Sequence, residues 1–303
     1  MSKNLKKSLL VIGGTGFIGQ HLVNQALNSG LNVTSVSLNK PKKKNKNVKY
    51  LKLDISDTLA IKRKIKNNFN YIVNLSGYID HSNLQRGGKK IITKHLKGLF
   101  NLTQTINHSH LDKFIQIGSS DEYGDSSAPQ NESQLENPKT PYAYSRVIAK
   151  YFLKMLFNTQ QFPYVYLRLF LVYGPGQKKN RFLPQLIRAC IKNTSFRTTK
   201  GNQWRDFIYV EDLAKIIIKI LMSKKIIGTV LNIGSGKKIQ IKNVVKKLVQ
   251  ITKSMRTSAT KYGDSNSQEW FCENFALFHM DRKDLVDPEW IKFFKENVNV
   301  KGI

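Results

Sequence analysis

LLVIGGTGFIGQHLV, from Leu9 to Val23, changes character twice along its length. Leu9 to Ile12 is a continuous apolar run, the mark of a strand buried on both faces of a parallel sheet. Gly13, Gly14, Gly16 and Gly19 then make a tight turn, after which Phe17, Ile18, Leu22, Val23 and Ala26 recur at helical spacing. Strand, glycine turn and helix in that order leave backbone N–H groups at a helix N-terminus, where they can hold a pyrophosphate. Glycine is needed because a side chain would keep the backbone away from the phosphates. A GxGxxG pattern alone is weak, since any tight turn can be glycine-rich. Its strand-to-helix setting makes this one a dinucleotide-binding Rossmann unit.

At 303 residues the chain has room for one such domain and a smaller second one. Hydrophobic content of 40% and aromatic content of 10% fit a globular soluble protein. No apolar stretch approaches the length of a membrane span; Ile216 to Met222 is broken by Lys219. The opening MSKNLKKSLL runs into the first strand and does not read as a signal peptide. Cys190 and Cys272 suggest neither a disulfide framework nor a metal site, and the six histidines show no metal spacing. His108 and His110, near a helix end, read as solvated or capping residues. A cytoplasmic protein without a metal is expected. The net charge of +30 would suit a nucleic acid or an anionic membrane. The lysines, however, are scattered among asparagines and isoleucines with no aromatic interleaving, so no dedicated nucleic-acid or membrane partner is expected.

The second strand, Val33 to Leu38, ends in Ser37-Leu38-Asn39-Lys40 with PKKKNK behind it and no acid. An acid at this point usually binds the ribose hydroxyls of NAD, whereas basic residues accommodate the extra phosphate of NADP. Lys40 therefore favours NADP, unless it belongs simply to a lysine-rich loop. Val48 to Leu53 is the next strand, and Asp54 behind it can accept from an adenine amino group or cap the helix near Thr58. Tyr71 to Leu75 is a further buried strand whose small followers, Ser76 and Gly77, let a cofactor pass closely. Ile91 to Ile106 reads as a helix, Lys113 to Ile117 as a strand, and Pro141 onward as a helix with Tyr142 and Arg146 on one face. Tyr164 to Val172 is read as one strand, closed by Tyr173-Gly174-Pro175-Gly176. The expected organisation is a doubly wound α/β domain over 1–173 and a smaller α/β substrate domain over 174–303, some of whose elements pack back on the first. The periodicity fades beyond Lys253.

GGTGFIG, Leu53-Asp54, GSSDEYG, PYAYSR, LRLFLVYGPG, RDFIYVED and LNIGSG occur in one order over roughly residues 8 to 250. In this series the chain resembles the extended short-chain dehydrogenase/reductases that act as nucleotide-sugar epimerases, dehydratases and reductases. The resemblance implies an NAD(P)-dependent enzyme, moving a hydride between the nicotinamide and C4 of a nucleotide-linked sugar. A tyrosine exchanges the C4 oxygen's proton, and a lysine four residues on holds the cofactor ribose and assists the tyrosine, whose free pKa of about 10 is too high for a base at neutral pH. Tyr142 falls on the tyrosine position. Arg146 stands where the family has lysine: it keeps the charge but differs in reach and donor geometry. The family's serine or threonine falls on Ser119 when counted back from Tyr123-Gly124, with Ser120 the neighbouring alternative. A Ser-Ser-Asp turn can also simply cap the next segment of chain.

The resemblance places Gly13, Thr15, Gly16, Phe17, Ile18, Gly19, Lys40, Asp54, Ile55, Leu75 and Ser76 at the dinucleotide, together with Tyr142 and Arg146. It places Ser120, Arg181 and Arg205 at the substrate, Arg205 gripping the diphosphate. RFLP and RDFIYVED look most like the 4-ketoreductases that finish deoxysugars such as CDP-abequose. The expected function is thus a 4-keto-6-deoxysugar reductase. A UDP-glucose-type 4-epimerase is the alternative, and a non-catalytic dinucleotide-binding protein the second alternative. Asp121 and Glu122 echo the acid pair of the 4,6-dehydratases without matching its register. A homodimer through two long helices is also implied. From Lys261 the tail departs from the family pattern.

Overall fold

The computed structural model describes residues 6–257 except 42 and 67; the tail from Lys261 and Cys272 lie outside the described residues. These residues divide into two compact units, one running to Phe170 and resuming over Val210–Gly234, the other comprising Leu171–Tyr209 and the chain from Ser235.

The first unit is built on a seven-stranded sheet. Its strands are β1 (Ser8–Ile12), β2 (Asn32–Ser37), β3 (Val48–Lys52), β4 (Tyr71–Asn74), β5 (Lys113–Ser119) and β6 (Tyr164–Leu169), with β9 (Thr229–Ile233) added late in the chain. The spatial order is β3-β2-β1-β4-β5-β6-β9. Every neighbouring pair is parallel. The order reverses between β1 and β4, the switch point at which doubly wound sheets open a crevice for ligands. Helices α2 (Thr58–Lys64), α3 (Lys89–Thr105) and α4 (Pro141–Gln160) cover one face through Ile61, Leu99, Leu102, Leu153 and Leu156, packed with Leu10, Ile12 and Ile72 of the strands. Helices α1 (Phe17–Asn28) and α6 (Val210–Met222) pack on each other. The buried Nζ of Lys113, at the start of β5, donates to the Ile220 carbonyl at 2.7 Å and also to that of Ser223, closing the C-terminal end of α6.

The second unit holds a three-stranded sheet in the order β10-β8-β7, with β7 (Leu171–Tyr173), β8 (Trp204–Tyr209) and β10 (Lys238–Gln240). Helices α5 (Phe182–Lys192) and α7 (Ile241–Thr257) pack together. The single strand expected over Tyr164 to Val172 is in fact two. Phe170 separates β6, which pairs with β5 and β9, from β7, which pairs with β8. One apolar run thus serves two sheets, and periodicity carries no mark of the exchange. Helix α7 was not read from the sequence, and α3 begins two residues earlier than expected, behind an irregular turn over Leu84–Gly88.

Candidate active site

The glycine turn leaves β1 at the switch point. Gly13 N donates to the Val36 carbonyl at 2.7 Å, Gly16 N to the Gly13 carbonyl at 2.9 Å, and Leu75 N to the Ile12 carbonyl at 2.9 Å. A Cβ on Gly19 would run into the Gly13 carbonyl oxygen and one on Gly14 into Ser35 Oγ, so bare Cα atoms are what let α1 start this close to β1. Gly16 is the N-cap of α1, and no side chain caps that end. The N–H groups of the first turn, where Phe17 and Ile18 lie, thus have no capping side chain competing for them, an arrangement suited to an anionic group. These residues fit such a group. Thr15 N donates to Ser37 Oγ at 3.1 Å, tying the turn to the end of β2, beyond which Lys40 is exposed.

Asp54 is exposed and accepts from Ser56 N at 2.8 Å. Burial works against its charge, but the Ser56 hydrogen bonds and the nearby Lys94 and Lys97 hold its carboxyl below the usual range. It does not cap α2; Asp57 does, accepting from Ala60 N at 2.9 Å. The cap must stand three residues before the N–H it serves, and Asp54 lies too far back. Ile55 turns its side chain against Gly98 of α3, while its carbonyl accepts from Asn101 at 2.9 Å. Leu75 and Ser76 are half-buried beyond β4.

Helix α4 brings Tyr142 and Arg146 to one buried face, each 4% exposed. Thr140 caps it, accepting from Ala143 N at 3.1 Å, and Pro141 occupies its first turn. The Arg146 guanidinium carbon lies 5.1 Å from the centre of the Tyr142 ring. Its Nη2 donates to the Ser76 carbonyl at 3.2 Å and its Nη1 to that of Ile117 at 3.4 Å, while Nε is buried without a hydrogen-bond partner. Arginine therefore bridges the ends of β4 and β5 with its fork, a geometry a single lysine nitrogen does not reproduce.

Ser119 ends β5 and caps the short turn Ser120–Tyr123: its Oγ accepts from Asp121 N at 3.2 Å, and its N donates to Glu122 Oε1 at 2.8 Å. The capping reading of Ser-Ser-Asp is thus correct, yet it uses only an oxygen lone pair and leaves the hydroxyl hydrogen to be donated. Ser120 opens the turn and is half-buried. Glu122 is wholly buried. It accepts from Arg168 Nε at 2.9 Å and from Tyr166 Oη at 2.8 Å. Burial pushes its carboxyl up, against the pull of the Ser119 N–H and the Arg168 charge. Arg168 also pairs with Glu136, which binds Lys150 in turn. Glu122 is therefore a buried framework carboxylate and is not presented to a substrate.

Two histidines that sequence reasoning passed over flank Tyr142. His81 stands edge-on to its ring at 5.9 Å and lies 3.9 Å from Asp121; His95, on α3, stands edge-on at 6.0 Å. Nothing local marks either one, because their contacts come from separate segments. His108 is half-buried against Phe162, ring centres 4.9 Å apart; burial pushes its imidazole down, while a hydrogen bond to the Thr103 backbone in the last turn of α3 pushes it up, so of the two readings, solvated or capping, it is the capping one.

In the second unit, Arg205 is exposed on β8, with Nη1 donating to the Trp204 carbonyl at 2.8 Å; Arg181 is the N-cap residue of α5. Asp206, next to Arg205, accepts from Ser235 N at 2.7 Å and Gly236 N at 2.9 Å, so RDFIYVED and the GSG turn meet through that carboxylate. No helix among the described residues is long and apolar enough to cross a membrane.

Known proteins resemble this chain in sequence and fold. The dTDP-D-glucose 4,6-dehydratase of Dictyostelium discoideum is 24% identical over 271 residues, 81% of this chain and 62% of that one, so the chain spans less than two thirds of that relative. The CDP-abequose synthase of Salmonella typhimurium is 27% identical over 251 residues, 79% of each chain. The solved UDP-glucose 4-epimerase of Thermotoga maritima superposes with a TM-score of 0.75 at 24% identity, covering 81% of this chain and 82% of that one. Residues 9–234 match the NAD dependent epimerase/dehydratase family, and with its seven-stranded Rossmann sheet the chain belongs to that family.

Proposed function

We propose that this protein uses a nicotinamide dinucleotide to reduce the C4 ketone of a nucleotide-linked 4-keto-6-deoxysugar. The observation that carries the reading is the buried pair on α4, Tyr142 with the Arg146 guanidinium 5.1 Å from its ring. The dinucleotide supplies the hydride when bound. Tyr142 gives its phenolic proton to the C4 oxygen, and the neighbouring cation favours the negative charge it then carries. Ser119 directs its hydroxyl hydrogen at the same oxygen and so fixes the carbonyl's orientation. Arg146 holds the ribose as well. In the second unit, Arg205 and Arg181 offer forked donors to the substrate diphosphate.

The end of β2 supports reduction over epimerisation. It carries no acid and leads to Lys40, which suits NADP and a cofactor that exchanges with solvent. The burial of Glu122 in its pair with Arg168 speaks against a dehydratase. A second copy of the chain is the proposed partner, through α3 and α4, where Tyr144, Tyr151 and Met155 are exposed on α4; sedimentation giving only a monomer would remove it.

The test is to denature the purified protein, identify any dinucleotide released, and then compare binding of NADPH and NADH. An empty protein that prefers NADPH and consumes it with a nucleotide-linked 4-keto-6-deoxysugar is the expected result. Tightly held NAD would replace the reductase by a 4-epimerase. Binding of neither would remove the enzymatic reading.

A further inference from the structure

Arg146 Nη2 and His95 Nε2 both lie beside the bare Cα of Gly77, on the side where a Cβ would stand. A Cβ there would overlap Arg146 Nη2 and lie 3.0 Å from His95 Nε2. Any other residue type would displace the guanidinium from its place beside the imidazole. Gly77 has a φ of +104°, which also favours glycine.

The state of the imidazole is set at its other nitrogen. Ser145 Oγ donates its one hydrogen to the Tyr142 carbonyl at 2.7 Å, so its contact with His95 Nδ1 at 3.0 Å must be an N–H donated by the histidine. This network assigns the proton to Nδ1 and a lone pair to Nε2. Burial, reinforced by the Arg146 charge, pushes the imidazole down to about 3, so the ring is neutral. Nε2 is nevertheless buried without a hydrogen-bond partner. Tyr78 stands edge-on to the same ring at 5.6 Å and holds it in place. A buried acceptor and a buried cationic donor side by side at one bare Cα match a hydroxyl group, which can accept from the guanidinium and donate to the imidazole. A phosphate or carboxylate would satisfy Arg146 but has no hydrogen to give Nε2.

We propose that His95 Nε2 and the Arg146 guanidinium form a hydroxyl-binding pair that grips a ligand sugar ring beside Tyr142. The ring is either the ribose of the dinucleotide or the hexose of the substrate. This rests on the reductase reading only for the identity of those ligands. His95 is a binding residue here, with no part in proton transfer.

The experiment measures binding, not turnover. Wild-type protein and His95→Phe, which keeps an aromatic ring but has no acceptor, are titrated with NADPH alone and with UDP-glucose alone. The expected result is a loss of about tenfold in affinity for one of the two probes and little change for the other. The probe affected identifies the ring. Equal affinities in both proteins for both probes would overturn the pair. Binding of neither probe by the wild type would overturn it together with the proposed function. Because turnover is not read, an active Tyr142→Phe enzyme would sink the catalytic reading and leave this one standing. If His95→Phe does not fold, nitrogen NMR of the wild-type histidines decides instead. An unprotonated Nε2 that shifts when one probe is added is expected; an Nε2 already carrying hydrogen would overturn the proposal.

Discussion

Nη2 of Arg146 lies against the bare Cα of Gly77, where a Cβ would overlap it. The arginine thus has its place because position 77 carries no side chain. Gly77→Ala is expected to push the guanidinium from the Ser76 and Ile117 carbonyls and to lower kcat/KM by at least about tenfold, with an added backbone strain of about 1 kcal/mol from the positive φ. Adding Arg146→Lys, a slimmer cation, to the alanine variant should recover much of the activity. Steady-state kinetics on the two single variants and the double variant would read the coupling, and strictly additive losses would contradict it.

Tyr142→Phe removes the proposed proton donor and keeps the ring. A fall in kcat of roughly 10²- to 10⁴-fold is expected, with NADPH affinity within about twofold of wild type. Unchanged turnover would show that the proton comes from another group.

Glu122 holds the Ser119 N–H, the Tyr166 hydroxyl and Arg168 Nε from a fully buried position. Tyr166 Oη, its one hydrogen given to Glu122, also lies 2.8 Å from the Arg146 carbonyl, so the carboxylate that holds the Ser119 N–H also holds a hydroxyl packed against the helix carrying Arg146. Glu122→Gln would remove one of the two carboxylates paired with Arg168, leaving Glu136, at an expected cost of about 1–3 kcal/mol in unfolding free energy. Urea denaturation measures it; a loss under about 1 kcal/mol would mean the network contributes little.

His95 makes stability depend on pH. Its folded value of about 3 lies below the ordinary 6.5, with burial the main cause and Arg146 the second, while Ser145, Tyr78 and Tyr142 complete its surroundings. The unfolded chain therefore takes up a proton below about pH 6.5 that the folded chain refuses, and stability falls as pH drops from about 6.5 towards 3. The loss should approach 1 kcal/mol near pH 5.5, on the order of one pH unit below the ordinary value. Melting curves of wild type and His95→Phe across this range are expected to converge; parallel curves would exclude the effect.

Lys113→Met keeps the length of the side chain but leaves the Ile220 and Ser223 carbonyls at the end of α6 without their donor. A loss of about 1–3 kcal/mol is expected, measured by chemical denaturation. No change would mean that water replaces the ammonium group.

The glycine turn, the succession of strands and helices in the first unit, and the shared face of Tyr142 and Arg146 were legible in the chain, because each depends on neighbours a few residues apart; helix α7 of the second unit was not. Backbone strain, helical period and strand burial are local, and local sequence encodes them. The division of one apolar run at Phe170 was not legible, since it turns on which distant strand each half pairs with. Nor were the partners of the polar residues. Glu122, which sat in a motif suggesting chemistry, is taken up by Arg168. His95, in no motif at all, reaches Tyr142 and Gly77. The sequence by itself determined the dinucleotide fold and the position of its tyrosine, through short-range pattern. Only the tertiary structure decided which charges are spent inside the framework and which polar atoms, such as His95 Nε2, are left without a hydrogen-bond partner, because a buried polar group takes its state from whatever the rest of the chain brings against it.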